Sequence, residues 1–186
     1  APVNGVLNVW VGPADNLEAA RPVTHDTERG IGLYGWAYTN DHIIYLQDQG
    51  GNQQWQVYSI NLSSGETMNL TPFEGITAVV GAMSDKYPDE IVIGINNRNA
   101  SLHDLYRVDI KTGNMTLIQE NTGFLGFYMD NDYNVRFAVK MTPDGGKEIF
   151  EPAENGSWTS FMKIGMEDER ATNILGFDKT GEVIYM

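Results

Sequence analysis

Apolar and polar residues alternate along this chain in short runs, and clusters of Gly, Asn, Asp and Ser separate the runs. Gly5 to Pro13 predicts one strand, with Leu7, Val9 and Val11 on one face and Val6, Asn8 and Trp10 on the other. Leu17 to Ala20 has helical propensity, and Pro22 stops it within about a turn. Arg21 to Thr24 predicts a short outer strand, and His25 to Gly30 a polar loop. Four strands follow. They are Gly32 to Tyr38, His42 to Gln47, Trp55 to Leu62 and Glu66 to Leu70. Asn40-Asp41 turns the first pair and Gly50-Gly51 opens the loop of the second. Ser63-Ser64-Gly65 makes the last hairpin, with Gly65 in the left-handed position, and Pro72 ends the unit.

The pattern repeats. QVYSINLSSGETMNL at 56–70 lies over DLYRVDIKTGNMTLI at 104–118, an offset of 48. Tyr58 falls on Tyr106, Ile60 on Val108, Leu62 on Ile110 and Gly65 on Gly113. Gly35, Gly81, Gly126 and Gly176 mark successive first strands, at spacings of 46, 45 and 50. Four strands per copy at this period predict β-propeller blades, which bury their faces against one another. The expected fold is all-β. It is a partial β-propeller of four-stranded antiparallel blades, about three near-complete with partial ones at both ends. All of 1–186 is read as one domain. Its blades are 1–30 (partial), 32–73, 78–120, 123–166 and 172–186 (partial). One alternative stays open: a closed four-blade ring in which Val6 to Thr24 supplies the strands that Ile174 to Met186 lacks.

Charge narrows the partners. Twelve basic against 25 acidic residues give a net charge of -13, and the basic residues are scattered. Nucleic acid and anionic membrane surfaces are therefore not expected as partners. No apolar run approaches the roughly 20 residues of a membrane span. The start, APVNGVLNVW, has neither the charged nor the apolar region of a signal peptide. The absence of cysteine removes disulfides and thiolate chemistry and leaves the compartment open.

No constellation predicts a catalytic, cofactor or metal site. GIGLYG at 30–35 matches GxGxxG, but strand-like residues follow it where a dinucleotide site needs a helix. Asp130, Asp132 and Asn134 form DxDxN, with Val135 and Met141 where a calcium loop needs Gly and Glu. His25, His42 and His103 have no metal spacing; His42 and His103 sit at strand starts and are read as closing turns by hydrogen bonding. Asp89-Glu90 and Glu167-Asp168-Glu169 read as solvated turns. Sequons begin at Asn61, Asn69, Asn99, Asn114 and Asn155. GxSxG does not occur. Trp36, Tyr45, Trp55 and Tyr58 are assigned to the core between blades.

Two runs carry a family resemblance. One contains Gln47-Asp48, Gly50-Gly51, Trp55 to Ile60, Ser64-Gly65 and Leu70-Thr71-Pro72-Phe73. The other contains Asn97, Arg98, His103, Asp104 and Tyr106. Together they resemble the N-terminal propeller of prolyl oligopeptidase-type serine peptidases, nearest the acylaminoacyl-peptidase and dipeptidyl-aminopeptidase branch. In that family the propeller precedes an α/β-hydrolase domain holding Ser, Asp and His, and it restricts access of peptide substrates. The resemblance implies a non-catalytic propeller portion with no activity of its own, whose partners are its C-terminal hydrolase domain and peptide substrates. Bare blade edges add an expectation of self-association. The alternative function is a self-contained short propeller that binds a protein or ligand.

Overall fold

The computed structural model describes residues 1–186. The N-terminal segment holds β1 (Pro2–Val3), β2 (Val6–Leu7), β3 (Trp10–Val11), one 3-10 turn at Leu17–Ala19 and β4 (Arg21–Pro22). Three four-stranded antiparallel meanders follow. Blade two is β5 (Leu33–Trp36), β6 (His42–Gln47), β7 (Gln56–Asn61) and β8 (Thr67–Asn69). Blade three is β9 (Ala78–Met83), β10 (Glu90–Asn99), β11 (Leu102–Asp109) and β12 (Met115–Gln119). Blade four is β13 (Gly126–Met129), β14 (Val135–Met141), β15 (Lys147–Pro152) and β16 (Trp158–Ile164). A last pair, β17 (Gly176–Phe177) and β18 (Ile184–Tyr185), starts a further sheet. No helix is long and apolar enough to cross a membrane.

The offset of 48 has a structural cause. Gly65 and Gly113 sit at φ +76° and +72°, and their N–H groups donate to Asn61 O and Asp109 O at 2.8 and 2.9 Å. The Asn61 side-chain oxygen also accepts from the N–H of Ser63 and Ser64, and Asp109 does the same for Lys111 and Thr112. Each hairpin is thus a positive-φ glycine plus one capping oxygen.

Two expectations and one open alternative need correction. Gly5 to Pro13 is not one strand but two short ones broken at Asn8 and Val9. Asn8 turns its side chain into the fold, where Oδ1 accepts from Thr24 Oγ1 and Asp26 N and Nδ2 donates to Val6 O and Asp26 O. That network outweighs simple alternation, so Asn8 is buried while Leu7 and Trp10 are exposed. Second, Trp36 is 53% exposed, because β5 is an edge strand with no neighbour beyond it. Of its three proposed core companions, Tyr45 is buried and stacks on Tyr58 at 5.1 Å, and Trp55 is half-buried. Third, the terminal strands do not close a ring: β3–β4 and β17–β18 are separate two-stranded sheets.

The blades bury their faces against each other in unequal seams. Between blades two and three lies the largest cluster, 11 buried residues including Ile44, Val57, Leu70, Ile93, Val108 and Ile110. Between blades three and four the cluster has three buried residues, Val92, Leu105 and Tyr133, with half-buried residues including Ile118, Phe127, Met129 and Val135 packed on them. Neighbours on β10 therefore serve different seams: Val92 faces blade four and Ile93 faces blade two. Ile93→Ala should lower the unfolding free energy by about 2–5 kcal/mol in urea titration. Leu33→Ala, on the exposed edge strand, should change it by less than about 0.5 kcal/mol.

Candidate functional site

The two motif runs build a polar scaffold at one end of the blades. One position repeats, two residues before Trp10, Tyr58, Tyr106 and Ile149 near the start of each third strand. Its occupants are Asn8, Gln56, Asp104 and Lys147, and each ties down the segment that leads to the next blade. Asn8 holds Thr24 and Asp26. Gln56 Nε2 donates to Phe73 O at 3.1 Å. Asp104 Oδ1 accepts from Asn121 N at 2.6 Å. Lys147 Nζ donates to Asn173 Oδ1 at 2.8 Å and pairs with Glu169 at 2.8 Å. The threonine of Leu70-Thr71-Pro72-Phe73 belongs to the same scaffold: its hydroxyl accepts from Val57 N at 2.9 Å.

Asp104 is the most heavily bonded of these anchors. Arg98 grips both its oxygens, Nε to Oδ2 at 2.9 Å and Nη2 to Oδ1 at 2.8 Å, and also donates to Asn121 O at 2.6 Å. Burial alone would raise the Asp104 carboxyl; the Arg98 and Asn121 donors outweigh it and hold the carboxyl below the usual range. Asn121 then braces the connector, accepting from Gly123 N and Phe124 N and donating to Phe124 O. The His103 Nε2 nitrogen is buried without a partner. Burial pushes the imidazole down, while the Thr77 backbone opposes the shift.

The first strands present a second feature. Leu33, Tyr34 and Trp36 on β5, Val79 and Met83 on β9, and Leu125 and Leu175 beside β13 and β17 are all exposed. Leu33, Tyr34, Leu46, Val79, Val80 and Met83 line an apolar cleft of about 400 Å³ where blades two and three meet. Apolar side chains left open along adjacent edges are the expected mark of a contact surface.

The remaining candidates are absorbed by the fold. Gly30 to Gly35 runs into strand β5, not a helix. Asp130 Oδ1 accepts from the N–H groups of Asp132 and Asn134, and Oδ2 from Arg136 at 3.2 Å, so its acceptors brace a turn. Asp132 pairs with Lys86, Asp89 with Lys111, Glu90 with Arg107 and Glu169 with Lys147, while Glu167 and Asp168 are exposed. His42 closes its turn as read from sequence, with Nδ1 at 3.1 Å from Thr39 Oγ1 and Nε2 at 3.1 Å from Asn61 Nδ2. It shares a 250 Å³ polar pocket with Ser59. The Ser59 hydroxyl donates instead to Ile110 O across the seam, at 2.8 Å. The Asn61 and Asn69 amides are hydrogen-bonded to other side chains; Asn99, Asn114 and Asn155 are exposed. Eight of the 12 basic side chains are in ion pairs.

Asp104→Asn should cost about 2 kcal/mol of stability in urea titration, since it leaves Arg98 and the connector with a neutral partner. The carboxyl is lowered by folding, so its stabilisation is complete above about pH 4 and is lost as pH falls through the lower folded value. Acid titration of stability should show that loss in the native chain and a smaller one in Asp104→Asn.

No family model matches the chain. Dipeptidyl aminopeptidase BIII of Pseudoxanthomonas mexicana is 42% identical over 186 residues, 100% of this chain and 27% of that protein. Dipeptidyl peptidase family member 6 of Caenorhabditis elegans is 29% identical over 98% of this chain and 26% of its own length. The chain thus spans about a quarter of the length of these relatives. Among solved structures, a TolB protein from Agrobacterium tumefaciens superposes with a TM-score of 0.53 at 16% identity, covering 87% of this chain and 58% of that one. A puromycin hydrolase superposes with a TM-score of 0.52 at 12% identity, over 77% of this chain and 23% of that one. Those two likenesses concern the fold. The fold they share is the β-propeller type, and along its whole length the chain is similar to one part of a dipeptidyl aminopeptidase.

Proposed function

We propose that this chain is the non-catalytic propeller portion of a serine peptidase, that it packs on an α/β-hydrolase domain, and that it gates the access of peptide substrates. The observation that carries this reading is the 42% identity to a dipeptidyl aminopeptidase along the entire chain. The chemistry of the chain supports the non-catalytic part. Its best serine and histidine neighbours, Ser59 and His42, are both engaged in structural hydrogen bonds. A nucleophile needs its hydroxyl within reach of a base that is itself free to take the proton. The exposed first strands and their apolar cleft supply a surface for packing and for sieving peptides.

The 186-residue chain should release nothing above buffer from dipeptidyl p-nitroanilides. Hydrolysis that a serine-directed inhibitor abolishes would overturn the reading. The bare apolar edges at Leu33, Tyr34, Trp36 and Val79 also support self-association of the isolated chain. Light scattering should show a mass that climbs above 20.7 kDa with concentration, and a constant single-chain mass would refute that part.

A further inference from the structure

We propose that the seam between blades three and four is a latched hinge, shut at its turn rim by Tyr133 and pivoting on the connector at 120–125. This assigns the gating described above to one seam and rests on that reading.

The latch is polar. Tyr133 OH accepts from Ser84 N at 3.0 Å and donates to Glu90 O at 2.8 Å, so one hydroxyl of blade four bridges two points of blade three. Ser84 Oγ donates to Asn131 O at 2.7 Å, and Lys86 pairs with Asp132 at 2.7 Å. The Tyr133 ring packs on Tyr87 at 5.4 Å, and the Arg107 guanidinium lies over Tyr87 at 4.2 Å. Burial pushes the Tyr133 hydroxyl up to about 12, so it remains a donor across the ordinary pH range. Tyr133 holds φ +63°, a conformation that a bulky residue adopts only when its surroundings impose it. Asp130 braces that turn internally, so the turn moves with blade four and the weak points are the bonds across the seam.

The pivot lies at the opposite end of the strands. Asn121 is fixed to blade three through Asp104 and Arg98. Phe124, three residues on, is fixed to blade four: its ring lies 5.0 Å from Trp158 and 5.7 Å from Phe150, with Lys140 Nζ 4.4 Å above it. A connector anchored on both blades at one end, and hydrogen bonds that can break singly at the other, define a hinge. The neighbouring seam differs. Its 11-residue apolar cluster makes blades two and three one body, since opening it would expose every one of those side chains.

The chain has no cysteine, so single thiols report opening cleanly. Val92→Cys places a thiol in the latched seam, and Val108→Cys places one in the apolar seam; both sites are fully buried. With a disulfide reagent in excess, Cys at 92 should react about 10-fold faster than Cys at 108. Tyr133→Phe, which removes only the bridging hydroxyl, should speed the first about fivefold further and leave the second unchanged. Ser84→Ala should act in the same direction and more weakly. Equal rates at the two sites, with equal response to Tyr133→Phe, would mean that only global unfolding exposes them and would overturn the hinge. A second measurement separates the hinge from the gate. In the complete peptidase, Tyr133→Phe should raise kcat/KM for long peptides relative to a dipeptidyl anilide. Labelling as expected with unchanged size selection would keep the hinge and refute the gating role.

Discussion

A four-stranded sheet with two apolar faces cannot stand alone in water, and that constraint organises this molecule. Each blade must find cover on both sides, and successive blades provide it for one another. The effect is plainest in β10, where Ile91, Val92, Ile93 and Ile95 are all buried, so the inward and outward alternation of an ordinary half-buried strand disappears. The outer strand β16 lies under no such cover and keeps Thr159, Ser160 and Phe161 exposed. Strand position within the blade, more than local propensity, sets how apolar each strand is.

The seams meet this demand with different chemistry. Between blades two and three the cover is aliphatic, with hydrogen bonds from Ser59 to Ile110 O and from Ala78 N to Trp55 O across it. Between blades three and four a smaller apolar cluster is joined by a bridging hydroxyl, a guanidinium and stacked aromatic rings. Apolar contact resists separation in proportion to area and has no preferred direction. Hydrogen bonds are directional and yield one at a time. A molecule that uses both in adjacent seams has stiff and compliant joints in one row of sheets.

The parts of this architecture legible in sequence are those set by local rules. Positive-φ glycines at Gly65 and Gly113, the strand HIIYLQ and the offset of 48 follow from turn chemistry and alternation within about 15 residues. The misread parts depend on distant partners. Asn8 looks like one face of a strand until Thr24 and Asp26 are placed beside it. Trp36 looks like core until its strand proves to be an edge. Tyr133 gives no sign of its role, because its partners Ser84 and Glu90 lie 49 and 43 residues away. Of the motif carried by the family resemblance, Arg98 and Asp104 were visible as residue types, and their bidentate clamp on the connector emerged only from the fold.

The anchoring position held in turn by Asn8, Gln56, Asp104 and Lys147 has a further meaning. One geometric post carries an amide, a second amide, an acid and a base, and each is matched to its own downstream segment: a hydroxyl and an N–H, a carbonyl, an N–H, and a carboxylate with an amide. The copies are alike in shape and unlike in chemistry. They are consequently not interchangeable parts. A blade moved to another slot would bring its backbone into register and its polar key into the wrong lock, which fixes the order of the blades along the chain.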